Sequence, residues 1–220
     1  MTILALEFSS PQRSVAVIAG RPGAVPSVMS EVIETGAGRT MAFEMIQAAL
    51  AAAGREREQI DQVAIGLGPG SYTGIRVALS VAQGWQLAGP ERLKLQGISS
   101  AECLAAEAHA AGLRGRTSVV IDAQRDEIYL ATYDVSAAGW GEVEPLQIVS
   151  RAAGETRAAG SMMVGPEITR WFSNGQTLFP RASRLGQLAW RRTNFIAGNR
   201  LSPIYLRETN FAKVGSKPAE

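Results

Sequence analysis

The chain has 220 residues, of which 46% are hydrophobic, and a formal net charge of +2; this length allows a sizeable core in one domain or two small ones. Its single cysteine, Cys103, and its single histidine, His109, exclude an internal disulfide, a cysteine metal cluster and a histidine-rich metal site. Because neither a signal peptide nor an apolar run of about 18 residues is present, we expect a cytoplasmic protein that does not enter a membrane.

The first hundred residues predict an α/β segment with two long helices. Its strands are expected over residues 2–7, 14–19, 28–34, 62–65 and 93–98, which are apolar and rich in β-branched side chains. Thr40 is a candidate N-cap for the first helix, residues 41–53, and Gly54 ends that helix. The second helix, residues 74–88, follows a glycine-rich turn.

The rest of the chain predicts further strands and helices of the same kind. Strands are expected over residues 118–122, 127–135 and 162–166, and helices over residues 100–111, 167–172 and 182–192. Residues 136–161 have no clear period and are expected to form loops and a sheet edge. Residues 201–207 should be extended, and residues 214–220 a terminal tail.

The two halves share a faint internal repeat. Residues 3–7 align with residues 118–122 at an offset of 115, and in both copies an apolar strand ends in a carboxylate, Glu7 or Asp122. A short polar turn and an alternating strand follow in each copy. A repeat of about half the chain length predicts two similar α/β halves.

The glycine-rich turn, residues 65–76, has two interpretations. Gly68 and Gly70 permit positive φ, and Ser71 or Thr73 can cap the helix that follows. Backbone N–H groups at such a turn can cradle an anion. However, no lysine completes a Walker motif, and Ser71 stands where the dinucleotide fingerprint needs its third glycine. A structural turn that seats the helix is therefore favoured over a phosphate site.

The two long helices are apolar on more than one side. In the second helix a small-residue line and a bulky line run in parallel: Gly74, Ala78, Ala82 and Val77, Val81, Trp85. In the first helix Met41, Met45 and Ala49 share one line. Such helices lie either inside the core or half covered by a partner, and periodicity alone does not separate these alternatives.

Few residues offer catalytic chemistry. Glu7 and Asp122 could share a cleft and hold Mg²⁺ or act as acid and base, but acceptance of turn N–H groups is the favoured interpretation. Cys103 lies in an apolar helix and is expected to be an inert, buried thiol. His109 is expected to be solvated at a helix end. One histidine and one cysteine cannot supply the usual hydrolase sets, so we predict no catalytic residues and no metal site.

The C-terminal quarter is basic. Residues 170–213 hold eight arginines and lysines but one acid, Glu208. This region either faces an anionic partner or forms a solvated basic surface, and the second alternative is favoured.

Several segments together resemble the TsaB (YeaZ) family, the small bacterial subunit of the tRNA threonylcarbamoyladenosine machinery. They are residues 3–10, 66–76, 96–100, 120–129 and 203–207, in matching order along nearly the whole chain. The Gly-Pro-Gly-Ser-Tyr-Thr-Gly turn with its following arginine is the most specific of them. The resemblance implies an α/β, actin-like (ASKHA) fold of two related lobes. We expect an N-terminal lobe over residues 1–100 and a C-terminal lobe over residues 101–213, whose last segment packs back on the first lobe.

The family also implies a function. It predicts a non-catalytic subunit that supports TsaD, the catalytic subunit, together with the ATPase TsaE, in transfer of a threonylcarbamoyl group to a tRNA adenosine. ATP and metal would then be used by the partner subunits, and tRNA could be contacted through residues 170–213. An alternative is a glycoprotease-like peptidase, against which the residue inventory argues.

In the family, the helices before and after the glycine-rich turn form the dimer face as a four-helix bundle. The resemblance thus implies pairing with TsaD, and a homodimer of the subunit alone is left open. Mapped onto this chain, the interface comprises Met41, Met45, Ala49, Tyr72, Thr73, Arg76, Val77, Ala78, Val81, Ala82 and Trp85. On this mapping an arginine at Ala78 or Ala82 would block the partner and leave the fold intact.

The chain departs from the family pattern at a nucleotide site of the actin-like kind. Glu7 replaces the usual aspartate, Phe8-Ser9 replaces a threonine, and Gly38-Arg39 stands where a histidine is common. We therefore do not expect strong ATP binding. A weak nucleotide or anion site would comprise Glu7, Ser9, Gly68, Gly70, Ser71 and Asp122.

Overall fold

The computed structural model describes residues 1–36, 40–89 and 93–206, which form two five-stranded sheets. The first sheet has the order β3-β2-β1-β4-β5, with β1 Thr2–Glu7, β2 Gln12–Ala19, β3 Ser27–Thr35, β4 Gln62–Gly66 and β5 Lys94–Ile98. The second has the order β10-β9-β6-β7-β8, with β6 Gly115–Gln124, β7 Glu127–Ser136, β8 Gly139–Ser150, β9 Met162–Gly165 and β10 Gln176–Thr177.

The strand pairings of the two sheets are the same. In each sheet the first three strands in chain order pair antiparallel with one another in succession. The fourth strand pairs in parallel with the first, and the fifth pairs in parallel with the fourth. β1 and β6 are thus the equivalent central strands. This topology confirms the two similar α/β halves that the internal repeat predicts.

Among the described residues, five α-helices connect or cover the strands. They are α1 Ala42–Ala53, α2 Tyr72–Ala88, α3 Ser100–Ala110, α4 Arg151–Arg157 and α5 Ala182–Trp190. Short 3₁₀ turns occur at Arg57–Gln59, Ile168–Arg170 and Gly198–Arg200. Within the part of the chain that the structure describes, no helix combines the length and apolar character needed to span a membrane.

The first sheet is covered by helices on both faces. One face packs under α1 and α2 through strand side chains that alternate along β1, β2 and β4: Leu4, Leu6, Val15, Val17, Val63 and Ile65. The opposite face packs under α3 and α5 through Ile3, Ala5, Ala16, Ile18 and Ala64. Because successive side chains of a strand point to opposite faces of the sheet, each apolar strand contributes side chains to both hydrophobic layers.

The helices α3 and α5 cross between the halves of the chain. α3 packs Leu104 and Ala108 against the second sheet, whereas α5 packs Leu185 and Ala189 on the first sheet. The last helix of the second half, α5, therefore packs on the first sheet, and the last helix of the first half, α3, packs between the two sheets.

The N-terminus of α5 is held by the first sheet. The Ala182 N–H donates to Ser14 Oγ at 2.8 Å, and the Ser183 N–H donates to Glu31 Oε1 at 2.9 Å. The guanidinium of Arg181 pairs with the same carboxylate. Because the first N–H groups of a helix have no partner within it, these sheet residues take the place of a cap.

The predicted cap of α2 and the predicted end of α1 are present in the structure. Ser71 Oγ caps α2 by accepting from the Gly74 N–H at 3.2 Å, and Gly54, with φ of 59°, ends α1 in the left-handed conformation. The prediction for Thr40 was wrong, because the N-cap position of α1 falls on Met41.

The prediction for residues 136–161 was wrong in part. The expected sheet edge is present as β8, but it is a twelve-residue strand, and α4 follows it. Pro145 lies within β8, and an edge strand tolerates proline because one of its sides has no neighbouring strand in the sheet. The helix expected over residues 167–172 is the single 3₁₀ turn Ile168–Arg170. The expected tail, residues 214–220, lies outside the described residues.

Close packing of α5 on the first sheet leads to a prediction. A Cβ built at Gly186 overlaps Ile18 Cγ1, whereas one built at Gly84, on the exposed side of α2, has no described atom within 4 Å. We expect Gly186→Ala to lower the free energy of unfolding by about 1–3 kcal/mol through overpacking. Gly84→Ala, the matched control, should raise it by up to about 1 kcal/mol. Urea denaturation of both variants measures this, and equal shifts in the two would contradict the packing argument.

Candidate functional site

A cleft of about 1430 Å³ opens between the two lobes. The first β-hairpin, the start of α1, the glycine-rich turn, the end of β6 and residues 203–205 line this cleft. Of the residues expected at an anion site, Ser9, Gly70, Ser71 and Asp122 lie in the lining. Glu7 and Gly68 lie outside it.

Glu7 is fully buried beneath the glycine-rich turn. Its Oε1 accepts the Ser9 N–H at 2.9 Å, and its Oε2 accepts the Ser100 hydroxyl at 2.9 Å. The same hydroxyl oxygen accepts the Gly68 N–H at 3.2 Å. A Cβ built at Gly66 would overlap the carboxylate, so β4 needs glycine at this position. Glu7 thus ties β1 to the turn instead of facing the cleft, and burial raises the pKa of its carboxyl.

Several N–H groups of the turn donate to protein acceptors. Four of them donate to Ile98 O, Ser100 Oγ, Ser9 O and Ser71 Oγ; the donors are Leu67, Gly68, Ser71 and Gly74, respectively. An anion cradle needs such groups to be free. This hydrogen bonding supports the structural interpretation of the turn.

Two glycines let the turn approach the first hairpin. A Cβ built at Gly70, whose φ is 142°, would overlap Ser9 O, and one built at Gly74 would overlap Phe8 O. The backbone of residues 8–9 therefore packs directly against the turn at these two positions. This approach explains why the sequence carries glycine at both positions.

Asp122, like Glu7, accepts a backbone N–H group of the turn that follows its strand. Its Oδ1 accepts the Gln124 N–H at 2.7 Å, and its Oδ2 accepts the Gln124 side-chain amide at 2.9 Å. Arg170 Nη1 lies 3.9 Å from Asp122 Oδ2. Both strand-end carboxylates therefore accept the N–H group two residues further on. Within the described residues, no group of three His, Cys, Asp or Glu side chains is placed to hold a metal ion.

The hairpin after Asp122 has an unusual backbone. Gln124, Arg125 and Asp126 have φ of 63°, 57° and 62°, a left-handed conformation that residues other than glycine adopt rarely. Asp126 pairs with Arg151 of α4 at 2.9 Å. The side chain of Asp122 thus holds Gln124 at one end of the hairpin turn, and the side chain of Arg151 holds Asp126 at the other.

Cys103 and His109 lie on α3, between the sheets. Cys103 is buried, and burial raises the pKa of its thiol well above the ordinary value, so the expected inert thiol fits its surroundings. His109 is half-buried, which corrects the expectation of a solvated residue. Its ring lies 5.4 Å from that of Trp140, and its Nε2 has no hydrogen-bond partner among the described residues.

The basic C-terminal region is largely neutralised by acids from elsewhere in the fold. Arg170, Arg181, Arg184 and Arg192 pair with Asp122, Glu31, Glu107 and Glu102, respectively. Arg191 and Arg200 are exposed and form no ion pair within the described residues. Arg207, Glu208 and Lys213 lie outside those residues. The local excess of positive charge in the sequence therefore does not translate into an equally basic surface.

The expected interface residues divide by exposure. Met41, Tyr72, Thr73 and Arg76 are exposed, and Val77 is half-buried. The other six are buried in the chain's own core: Met45, Ala49, Ala78, Val81, Ala82 and Trp85. The small-residue line of α2 packs against the sheet, so the contact of these six residues with a partner stays a prediction that their burial argues against. An arginine at Ala78 or Ala82 would therefore disrupt the core itself.

The outer sides of the same helices were not predicted from the sequence. On α2 the exposed small residues are Ser80, Gly84 and Ala88, and Leu87 is 89% exposed. On α1 they are Ala48, Ala51 and Ala52. The spacing of three and four residues was a signal for this second line, but it competed with the equally regular buried one.

Comparisons with known proteins agree with this architecture. The model of the family described as "TsaD: tRNA N6-adenosine threonylcarbamoyltransferase" matches residues 18–202. The "tRNA threonylcarbamoyladenosine biosynthesis protein TsaB" of Escherichia coli (strain K12) is 28% identical over 74% of this chain and 78% of its own length. The protein of that name from Haemophilus influenzae (strain ATCC 51907 / DSM 11121 / KW20 / Rd) is 27% identical over 94% of each chain.

Solved structures show the same fold. One described as "YeaZ from Pseudomonas aeruginosa" has a TM-score of 0.74 and 25% identity, and the match covers 93% of this chain and 99% of that chain. The expected likeness to the TsaB and YeaZ proteins is confirmed, as is the α/β, actin-like fold of two related lobes.

The buried carboxyl of Glu7 predicts a pH dependence. Because its pKa lies above the ordinary value of 4.5 in the folded state, the folded protein keeps a proton that the unfolded chain releases. The free energy of unfolding should therefore fall as pH rises from about 4.5 through the raised pKa of Glu7. Glu7→Gln should lack this component.

Urea denaturation of both proteins across this pH range measures the difference. Glu107, another carboxyl whose pKa burial raises, is present in both proteins and cancels in the comparison. Parallel curves for the two proteins would show that the Glu7 carboxyl does not titrate in this way.

Proposed function

Because this chain belongs to the TsaD family of tRNA N6-adenosine threonylcarbamoyltransferases, we propose that it is a non-catalytic subunit in the biosynthesis of threonylcarbamoyladenosine in tRNA. The observation that carries this proposal is the match over 74% and 94% of the chain to two proteins named for that pathway. In this proposal TsaD supplies catalysis, and TsaD and TsaE use the metal and the ATP.

The geometry of the cleft supports a role without catalysis. Glu7 is buried away from the cleft, and Asp122 is held by Gln124. The turn N–H groups that could have held a phosphate donate to Ser9 and to Ser100. These contacts stabilise the fold, and they use several of the groups that a catalytic or phosphate site would need.

The outer sides of α1 and α2 form the proposed partner surface. Both helices cover the same face of the first sheet, so their exposed sides face solvent together. We call this surface the α1–α2 face; it consists of Phe43, Glu44, Gln47, Ala48, Ala51, Ala52, Tyr72, Thr73, Arg76, Ser80, Gly84, Leu87 and Ala88.

The composition of the α1–α2 face suits helix packing. Glu44 and Arg76 are its charged members, and small residues predominate elsewhere. Small side chains allow a second pair of helices to approach closely. We propose that TsaD binds here, and that two copies of this chain pair through the same face when TsaD is absent.

The pathway assignment can be tested in cells. We expect depletion of this protein to remove threonylcarbamoyladenosine from total tRNA and the wild-type chain to restore it, as measured by nucleoside mass spectrometry. Unchanged modification after verified depletion would overturn the assignment. Proteolysis by the pure chain, abolished by a point mutation, would instead support the peptidase alternative.

The partner surface can be tested with one substitution. Gly84→Arg places a long charged side chain on the α1–α2 face, where a Cβ meets no described atom within 4 Å. We expect it to weaken binding to TsaD at least about tenfold and to leave the thermal unfolding midpoint nearly unchanged. Isothermal titration calorimetry measures the first quantity.

Gly141→Arg is the matched control, since Gly141 is an exposed glycine on β8 with equally open space. It should bind like the wild type. Full binding by Gly84→Arg would show that the partner uses another face.

A further inference from the structure

The C-terminal strap, residues 193–206, runs back across the first lobe. The Ile196 N–H donates to Leu95 O at 2.9 Å, at the edge of β5, and the Gly198 N–H donates to Gln86 Oε1 at 2.8 Å, on α2. The Ile204 N–H then donates to Leu67 O at 2.9 Å, at the glycine-rich turn. The strap is therefore fixed along the whole length of α2.

The strap ends in a contact with the first turn of α2. The Nε–H and Nη2–H of Arg76 donate to Tyr205 Oη at 3.1 and 2.9 Å. The guanidinium lies 4.1 Å from the centroid of the Tyr72 ring, and the two tyrosine rings lie 6.5 Å apart. Arg76 thus connects two aromatic side chains that are far apart in the sequence.

This contact leaves large apolar surfaces in solvent. Phe43, Tyr72, Tyr205 and Met41 are 63%, 60%, 54% and 44% exposed, and all four line the same mouth of the cleft. Clustered exposed apolar side chains mark interaction sites. Aromatic residues, methionine and arginine are also the types enriched at the centres of protein interfaces.

We propose that these residues form a second part of the partner surface, the cleft-mouth patch: Met41, Phe43, Tyr72, Arg76 and Tyr205. Its occupant is the same protein subunit that binds the α1–α2 face, so this inference rests on the proposed function. The patch extends that interface from the helices onto the strap and makes Tyr205 a central contact residue.

Two observations favour a protein over a nucleic acid as the occupant. Tyr72 and Arg76 belong both to the patch and to the α1–α2 face, so the two surfaces are continuous. The cleft lining also carries the carboxylates of Glu44, Asp122 and Glu167, which would repel a phosphate backbone. The arginine of the lining, Arg13, is paired with Glu34 at 3.2 Å.

Arg76 is preorganised for a protein ligand. Its two bonds to Tyr205 leave Nη1 and one Nη2 hydrogen directed elsewhere, since a guanidinium carries five N–H donors. Held against the Tyr72 ring, the guanidinium can bind a carboxylate or backbone carbonyl beside an apolar side chain of the partner. Preorganisation of this kind lowers the entropy lost on binding.

The test is Tyr205→Ala in the full chain, with binding to purified TsaD measured by isothermal titration calorimetry. We expect about tenfold weaker binding, as for an interface anchor. Tyr205→Phe, which keeps the ring and removes the acceptor for Arg76, should weaken binding by a smaller factor. Because Tyr205→Phe changes the packing of the strap little, weaker binding by this variant would not reflect unfolding.

Phe195→Ala is the matched control on the same strap. Phe195 is an exposed aromatic residue that also lies beneath a cation, with Lys94 Nζ at 4.6 Å from its ring centroid, but it does not line the cleft. It should bind TsaD like the wild type. Equal weakening by Phe195→Ala and Tyr205→Ala would overturn the proposal, because the effect would then belong to the strap in general.

The result separates this inference from the proposed function. If Tyr205→Ala binds normally while Gly84→Arg does not, the patch is wrong and the helical interface stands. If neither variant loses binding, the proposed interface fails as well. Weaker tRNA binding by Tyr205→Ala in fluorescence anisotropy, with TsaD binding unchanged, would assign the patch to a nucleic acid and overturn the proposal.

Discussion

The arrangement of the first lobe depends on one buried carboxylate. Glu7 accepts hydrogen bonds from the Ser9 N–H and from the Ser100 hydroxyl, and that hydroxyl in turn accepts the Gly68 N–H. Three segments distant in sequence, the first hairpin, the glycine-rich turn and the start of α3, therefore meet around a single side chain. An uncompensated buried carboxylate would be costly, and these donors offset that cost. The same bonds hold the turn that precedes α2 against the first hairpin and the start of α3.

The features that could be predicted from the sequence were those decided by neighbouring residues. The cap at Ser71, the end of α1 at Gly54 and the alternating strands all follow from short-range chemistry. The repeat of residues 3–7 at 118–122 could be read because both copies keep an apolar strand with a terminal acid. The sequence pattern also favoured the turn-binding role in which the structure places both acids.

The features that could not be predicted depend on distant residues. α2 has two apolar lines of similar regularity, and only the position of the sheet decides that Ala78 packs inward while Gly84 faces solvent. The basic C-terminal region looks uncompensated in sequence, because acids such as Glu31 and Glu102, its partners, lie far earlier in the chain. The contact of Arg76 with Tyr205 likewise joins residues 129 positions apart.

The exchange of α3 and α5 between the halves bears on how such a chain could arise. Each half, taken alone, would lack a helix that covers one face of its sheet, because α5 of the second half packs on the first sheet and α3 of the first half packs on the second sheet as well as on the first. A half-length ancestor with this geometry would be stable only as an intertwined pair, each copy lending its last helix to the other. Gene duplication and fusion would then have joined an existing domain-swapped dimer into one polypeptide. On this view, the halves were free to diverge while the exchanged helices kept them a single folding unit.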